Sequence, residues 1–147
     1  AGGGQGGGPG MAEIQQLRDY VAKNPNDADA VHKLADLNAQ IQNWPRAQEL
    51  YAHYLELKPN DPEVMTDLGL SYRGEGKLDQ ALTQFHQVQK VAPDHWPAYF
   101  YEVVVLALDL KRYNEAEPIL THLQKMQPSN PDVARLTEAV ARQRNTA

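Results

Sequence analysis

Apolar residues recur at helical spacing in paired segments, and prolines punctuate the pairs. In 62–75, Met65, Leu68, Gly69 and Tyr72 fall at i, i+3, i+4 and i+7, which is one face of a helix. In 79–92, Ala81, Phe85, Val88 and Val91 form a second such face. Gly74 and Gly76 interrupt the pattern between them, and Asp79 is placed to N-cap the second helix. The pair therefore predicts a helical hairpin. Pro25, Pro59, Pro93 and Pro128 follow one another at intervals of 34, 34 and 35 residues. Each closes a hairpin, because proline lacks the backbone donor a continuing helix needs and restricts the residue before it.

The other positions repeat with the same period. Ala47, Ala81 and Ala116 share one position, Trp44, Leu78 and Tyr113 another, Tyr51, Phe85 and Leu120 a third, and Tyr54, Val88 and Leu123 a fourth. Leu34, Leu68 and Val103 correspond in the first helices, each followed by Ala35, Gly69 or Val104. The extra residue of the third unit is expected between Pro93 and Val103, most simply in the Asp94-His95-Trp96 turn. Ile14, Leu17 and Val21 predict an entry helix over 12–23, and Val133, Leu136 and Val140 an exit helix over 131–144. The expectation is eight helices, arranged as an array of hairpins that presents a curved surface rather than one closed core.

These residues resemble the tetratricopeptide repeat family, whose unit carries a Leu-Gly pair, an aromatic, a nearly fixed alanine, a second aromatic and a closing proline. The resemblance covers about 28–128 and is closest at Leu68-Gly69, Tyr72, Ala81, Phe85 and Pro93. Asn38 stands where an aromatic is usual, and Val103-Val104 replaces Leu-Gly. The resemblance implies an all-α superhelix, or solenoid, of about three hairpins within 12–144. The repeats would run over about 28–61, 62–95 and 97–130.

In that family, repeat positions 2, 5, 9 and 12 of each first helix line a concave groove. Here they read Asp29, His32, Asp36 and Ala39, then Glu63, Thr66, Leu70 and Arg73, then Ala98, Tyr101, Val105 and Leu108. The groove is thus expected to grade from acidic to apolar. Its implied ligand is a peptide or amphipathic helix of another protein, apolar with a basic flank. The alternative is a self-assembling scaffold that joins copies through the groove or the array ends. Some family members clamp an acidic chaperone tail with lysine at position 5 and asparagine at position 9 of the first unit. This chain has His32 and Asp36 there, and at position 6 of the next units Asp67 and Glu102, so that ligand is not expected.

Charge and motifs narrow the rest. The net charge of −5, from 14 basic and 19 acidic residues, argues against a nucleic-acid partner. No run of 18 apolar residues and no signal peptide is found, so direct membrane insertion is not expected. There is no cysteine for a disulfide or thiolate site, which leaves the compartment open. Gly74-Glu75-Gly76 lacks the third glycine of a dinucleotide loop, and Ser71 and Ser129 lie in no nucleophile elbow. Asp27 and Asp29 begin like a calcium loop, but His32 occupies the glycine position. His53 and His122 fall on outer positions of separate helices. No catalytic residue, cofactor or metal is therefore expected. Seven of the first ten residues are glycine. Residues 1–11 read as a linker or an expression scar; a native linker would imply a neighbour upstream, such as a membrane anchor, whereas Met11 equally suits a natural start.

Overall fold

The computed structural model describes residues 10–146, so the reading of the glycine-rich tail lies almost wholly outside the described residues. Eight helices follow in order: α1 (Met11–Lys23), α2 (Ala28–Gln40), α3 (Trp44–Leu57), α4 (Pro62–Gly74), α5 (Leu78–Val91), α6 (Trp96–Val103), α7 (Tyr113–Met126) and α8 (Pro131–Thr146). Helix α6 runs on as a π-helical segment, Val104–Asp109. The hairpins α2/α3, α4/α5 and α6/α7 stack in sequence order, with α1 and α8 closing the two ends.

Local chemistry sets the helix starts. Asp27 accepts from the Ala30 amide at 3.1 Å, and Asp61 accepts from the amides of Glu63 and Val64, so each caps the first helix of a unit. Asp79 is not a cap. Helix α5 begins two residues earlier than expected, after Lys77 with no side-chain cap, and Asp79 lies inside its first turn, where a negative charge still suits the dipole.

Close packing explains the small residues. Ala47, Ala81 and Ala116 are fully buried where the two helices of each hairpin approach. A Cβ on Gly69 would stand 2.5 Å from Phe85 Cε1, so glycine is what lets the Phe85 ring lie on α4. Ile14 and Val21 bury α1 against the first unit, and Val133, Leu136 and Val140 bury α8 against the third.

The extra residue of the third unit lies in the π segment, not in the turn before Pro97. First helices begin at Ala28, Pro62 and Trp96, so the spacing is still regular through that turn. The hairpin turns then differ. Asn43 N–H reaches Asn38 O and Lys77 N–H reaches Tyr72 O, five residues back, whereas Arg112 N–H reaches Leu106 O, six back. Likewise Ile41 and Glu75 bond four residues back, and Leu110 bonds five back to Val105. One inserted residue is thus absorbed as a widened turn, the usual origin of a π-bulge.

Candidate functional site

The inserted residue shifts the expected groove positions of the third unit. Val105 aligns with buried Leu37 and Ser71, and it is itself fully buried. Val105 therefore does not line the groove as expected, and neither does Ala98, which is also fully buried. Glu102 aligns with the packing leucines Leu34 and Leu68 rather than with Asp67, and is only 4 % exposed. Thr66 is likewise buried: its short side chain turns back on its own helix, donating to Pro62 O at 2.7 Å. Asp29 and Glu63 are exposed, and His32, Asp36, Leu70, Arg73, Tyr101 and Leu108 are half-buried.

The acidic end is built by α2, α3 and α4. His32 and Asp36 are one turn apart on α2, and Asp67 reaches them from α4: His32 Nε2 is 3.4 Å from Asp36 Oδ2 and 3.3 Å from Asp67 Oδ2. Tyr51 on α3 donates its hydroxyl to Asp36 Oδ1 at 2.6 Å. Burial pushes the Asp67 carboxyl up to about 6, with repulsion from Asp36 and Glu63 adding to it and His32 opposing. Burial and the adjacent Asp36 carboxylate push the Tyr51 phenol up as well. A cavity of 370 Å³ opens beside this cluster, with Trp44, Tyr51 and Leu70 as apolar walls and Asp36, Glu63 and Asp67 as acidic ones. Tyr51 and Trp44 were missed from the groove in the sequence because they belong to second helices, and Asp67, weighed there only against the acidic-tail clamp, lies beside the expected stripe.

The other end is closed by packing. Arg73, expected to line the groove, is held by Asp109 through Nε at 2.7 Å and Nη2 at 3.0 Å. That fork keeps the guanidinium firmly protonated. Tyr101 lies over Phe85 at 6.2 Å between ring centroids and edge-on to Phe100 at 5.1 Å, and Trp96 packs edge-on against Phe100 at 5.8 Å. Trp96, Phe100, Tyr101 and Leu108 are half-buried, leaving an apolar strip partly open. Beneath it, Glu102 accepts from Gln89 Nε2 at 2.6 Å and meets His86 Nε2 at 2.5 Å, so its buried carboxylate is partnered on both oxygens. His53 and His122 stay apart, the first against Pro25 O and the second edge-on to Tyr99.

Comparison with known proteins agrees with this geometry. Two models described as tetratricopeptide repeat match the chain, over residues 14–62 and 72–140. A curated TPR repeat-containing protein of Pseudomonas aeruginosa is 31% identical over 88 residues, or 58% of this chain. The match spans only 15% of that relative's length. Among solved structures, the Arabidopsis OM64 TPR domain superposes with a TM-score of 0.69 at 14% identity, covering 78% of this chain and 94% of that one. At that identity the likeness is one of fold.

Proposed function

The chain belongs to the tetratricopeptide repeat family, whose fold generally serves as a protein–protein interaction module, and we propose that it holds a peptide or helix of a partner protein in its groove. The observation that carries this reading is the polarity of the groove. Its first half gathers Asp36, Glu63 and Asp67 at a cavity with aromatic walls, and its second half offers the half-buried strip of Phe100, Tyr101 and Leu108. A ligand matching both is an amphipathic helix or extended segment with a basic flank at the first two units and apolar residues at the third. Among the described residues no helix is long and apolar enough to cross a membrane.

Calorimetry with a basic amphipathic helix tests the proposal. Saturable one-to-one binding is expected, weakening with added salt and lost in Tyr101→Asp and in Leu70→Asp. Light scattering over a concentration series separates self-assembly: mass that grows with concentration, together with no peptide binding, would replace this reading by the scaffold.

A further inference from the structure

Asp36 Oδ2 and Asp67 Oδ2 both face one atom, His32 Nε2, at 3.4 and 3.3 Å. A ring nitrogen carries at most one hydrogen. Shared between two acceptors it makes at best a weak, bifurcated contact, and both separations exceed the roughly 2.7–2.9 Å of a charge-assisted hydrogen bond. They do match another geometry. A tetrahedral zinc ion bound at roughly 2.0–2.2 Å to nitrogen and oxygen sets its ligand atoms about 3.3–3.5 Å apart. All three donor atoms lie within 4.8 Å of one another, and a cation between the two carboxylates would relieve their mutual repulsion.

The surroundings supply the other requirements of a site. His32 and Asp36 project from one face of α2 because they are four residues apart, and Asp67 completes the triangle from α4. The Tyr51 hydroxyl holds Asp36 by its other oxygen, Oδ1, which orients Oδ2 towards His32 as an outer-shell partner does. The His32 ring is itself braced by Tyr54 at 5.3 Å and Tyr51 at 6.2 Å between ring centroids. The cavity that Asp36 and Asp67 share leaves room for a fourth ligand.

We propose that His32, Asp36 and Asp67 form a binding site for a divalent transition ion of the zinc class, tying the first helices of two successive units together. One imidazole with two carboxylates suits such an ion better than magnesium or calcium, which prefer an all-oxygen shell. The ion neutralises the acidic end of the groove, so it and a basic ligand flank oppose one another's binding by the same factor. The site rests on its own geometry and stands whether or not the groove takes a peptide.

The test is calorimetry of the whole chain, freed of metal by chelator and titrated with zinc ions, alongside thermal melts with zinc, with magnesium and with chelator. One site per chain and a raised melting midpoint with zinc are expected, with no comparable response to magnesium. Affinity should fall by about tenfold or more in His32→Ala and in Asp67→Asn, and stay unchanged in His53→Ala and His122→Ala. Asp36→Asn, melting in chelator like the parent, separates loss of a ligand from loss of fold. No saturable zinc binding, equal binding in the His32, Asp36 and Asp67 variants, or equal affinity for magnesium would each overturn the proposal.

Discussion

Arg73 grips Asp109 with two parallel hydrogen bonds, Nε to Oδ2 at 2.7 Å and Nη2 to Oδ1 at 3.0 Å, joining the second unit to the π segment of the third. Asp109 ends the widened turn that absorbs the inserted residue, so the irregular turn is braced from the neighbouring unit. The pair is partly open to solvent, which screens it, but its fork geometry fixes both side chains. A double-mutant cycle of Arg73→Ala and Asp109→Ala, read by denaturant unfolding, should give a coupling of about 0.5–1 kcal/mol. Arg73→Lys should recover less than half of it, since an ammonium cannot make the bidentate contact. A coupling of zero would mean that the turn does not depend on the pair.

The contact between Gly69 and Phe85 makes a second prediction. Alanine in mid-helix gains up to about 1 kcal/mol over glycine. Here its Cβ would meet Phe85 Cε1 at 2.5 Å, and overpacking of that kind costs about 1–3 kcal/mol. The clash should win, so Gly69→Ala lowers the melting midpoint. Phe85→Leu in the same chain should return part of the loss by making room; a stabilised Gly69→Ala would show that the ring moves at no cost.

The hairpin turns supply the opposite case. Gln42, Gly76 and Lys111 occupy equivalent sites with φ of 61°, 81° and 57°, the left-handed region that costs a residue with a Cβ about 1–2 kcal/mol. Only the second unit has glycine there. Gln42→Gly and Lys111→Gly should each stabilise by about 0.5–1 kcal/mol after the added freedom of the unfolded chain is subtracted. Thermal melts decide it, and a lower midpoint in both variants would refute the argument.

Much of this architecture could be read from residue spacing, because proline, alanine and aromatic positions each answer a separate packing need and all repeat together. The π segment could not. Its insertion falls between Leu106 and Leu110, in a run that is apolar from Val103 to Leu108, and without polar residues to mark a face a one-residue shift leaves little trace in the pattern. Val105, Ala98 and Glu102 were misplaced for that one reason. The acidic end was half legible: Asp36 and Glu63 lie on the expected stripe, but Asp67 is one position off it, and Tyr51 and Trp44 arrive from α3. Only folding brings those helices to one cavity.

Alkaline pH should weaken the fold through its buried phenols. Tyr54 donates to Asp61 Oδ2 at 2.7 Å, and that bond, with burial behind it, pushes its phenol up to about 12. The folded state thus keeps a proton that the unfolded state releases near its ordinary value of 10.0. The contribution is complete below that value and is lost as pH rises through the folded one, so stability falls across this window. Tyr51, also raised, by burial and Asp36, acts in the same direction. Melting midpoints measured from about pH 9 to 12 should decline less steeply in Tyr54→Phe than in the parent. Parallel slopes would remove Tyr54 from the account.

An acidic peptide ending in a free carboxylate, of the kind some tetratricopeptide repeat proteins clamp, should not bind. A clamp needs cationic or amide donors aimed into the groove, and this groove turns the opposite charge to it. His32, where such a clamp has lysine, already faces Asp36 and Asp67; Arg73, the guanidinium of the stripe, has its fork occupied by Asp109. An incoming carboxylate would meet Asp29, Asp36, Glu63 and Asp67 and would have to break the Arg73 pair to gain a bidentate partner. Reversing the charge of the cluster with Asp36→Lys and Asp67→Asn should create weak acidic-peptide binding and abolish that of a basic amphipathic helix. Calorimetry at two salt concentrations measures both, since charge-driven binding weakens as salt is raised. Tight, salt-sensitive binding of the acidic peptide by the unaltered chain would reverse the assigned polarity of the groove.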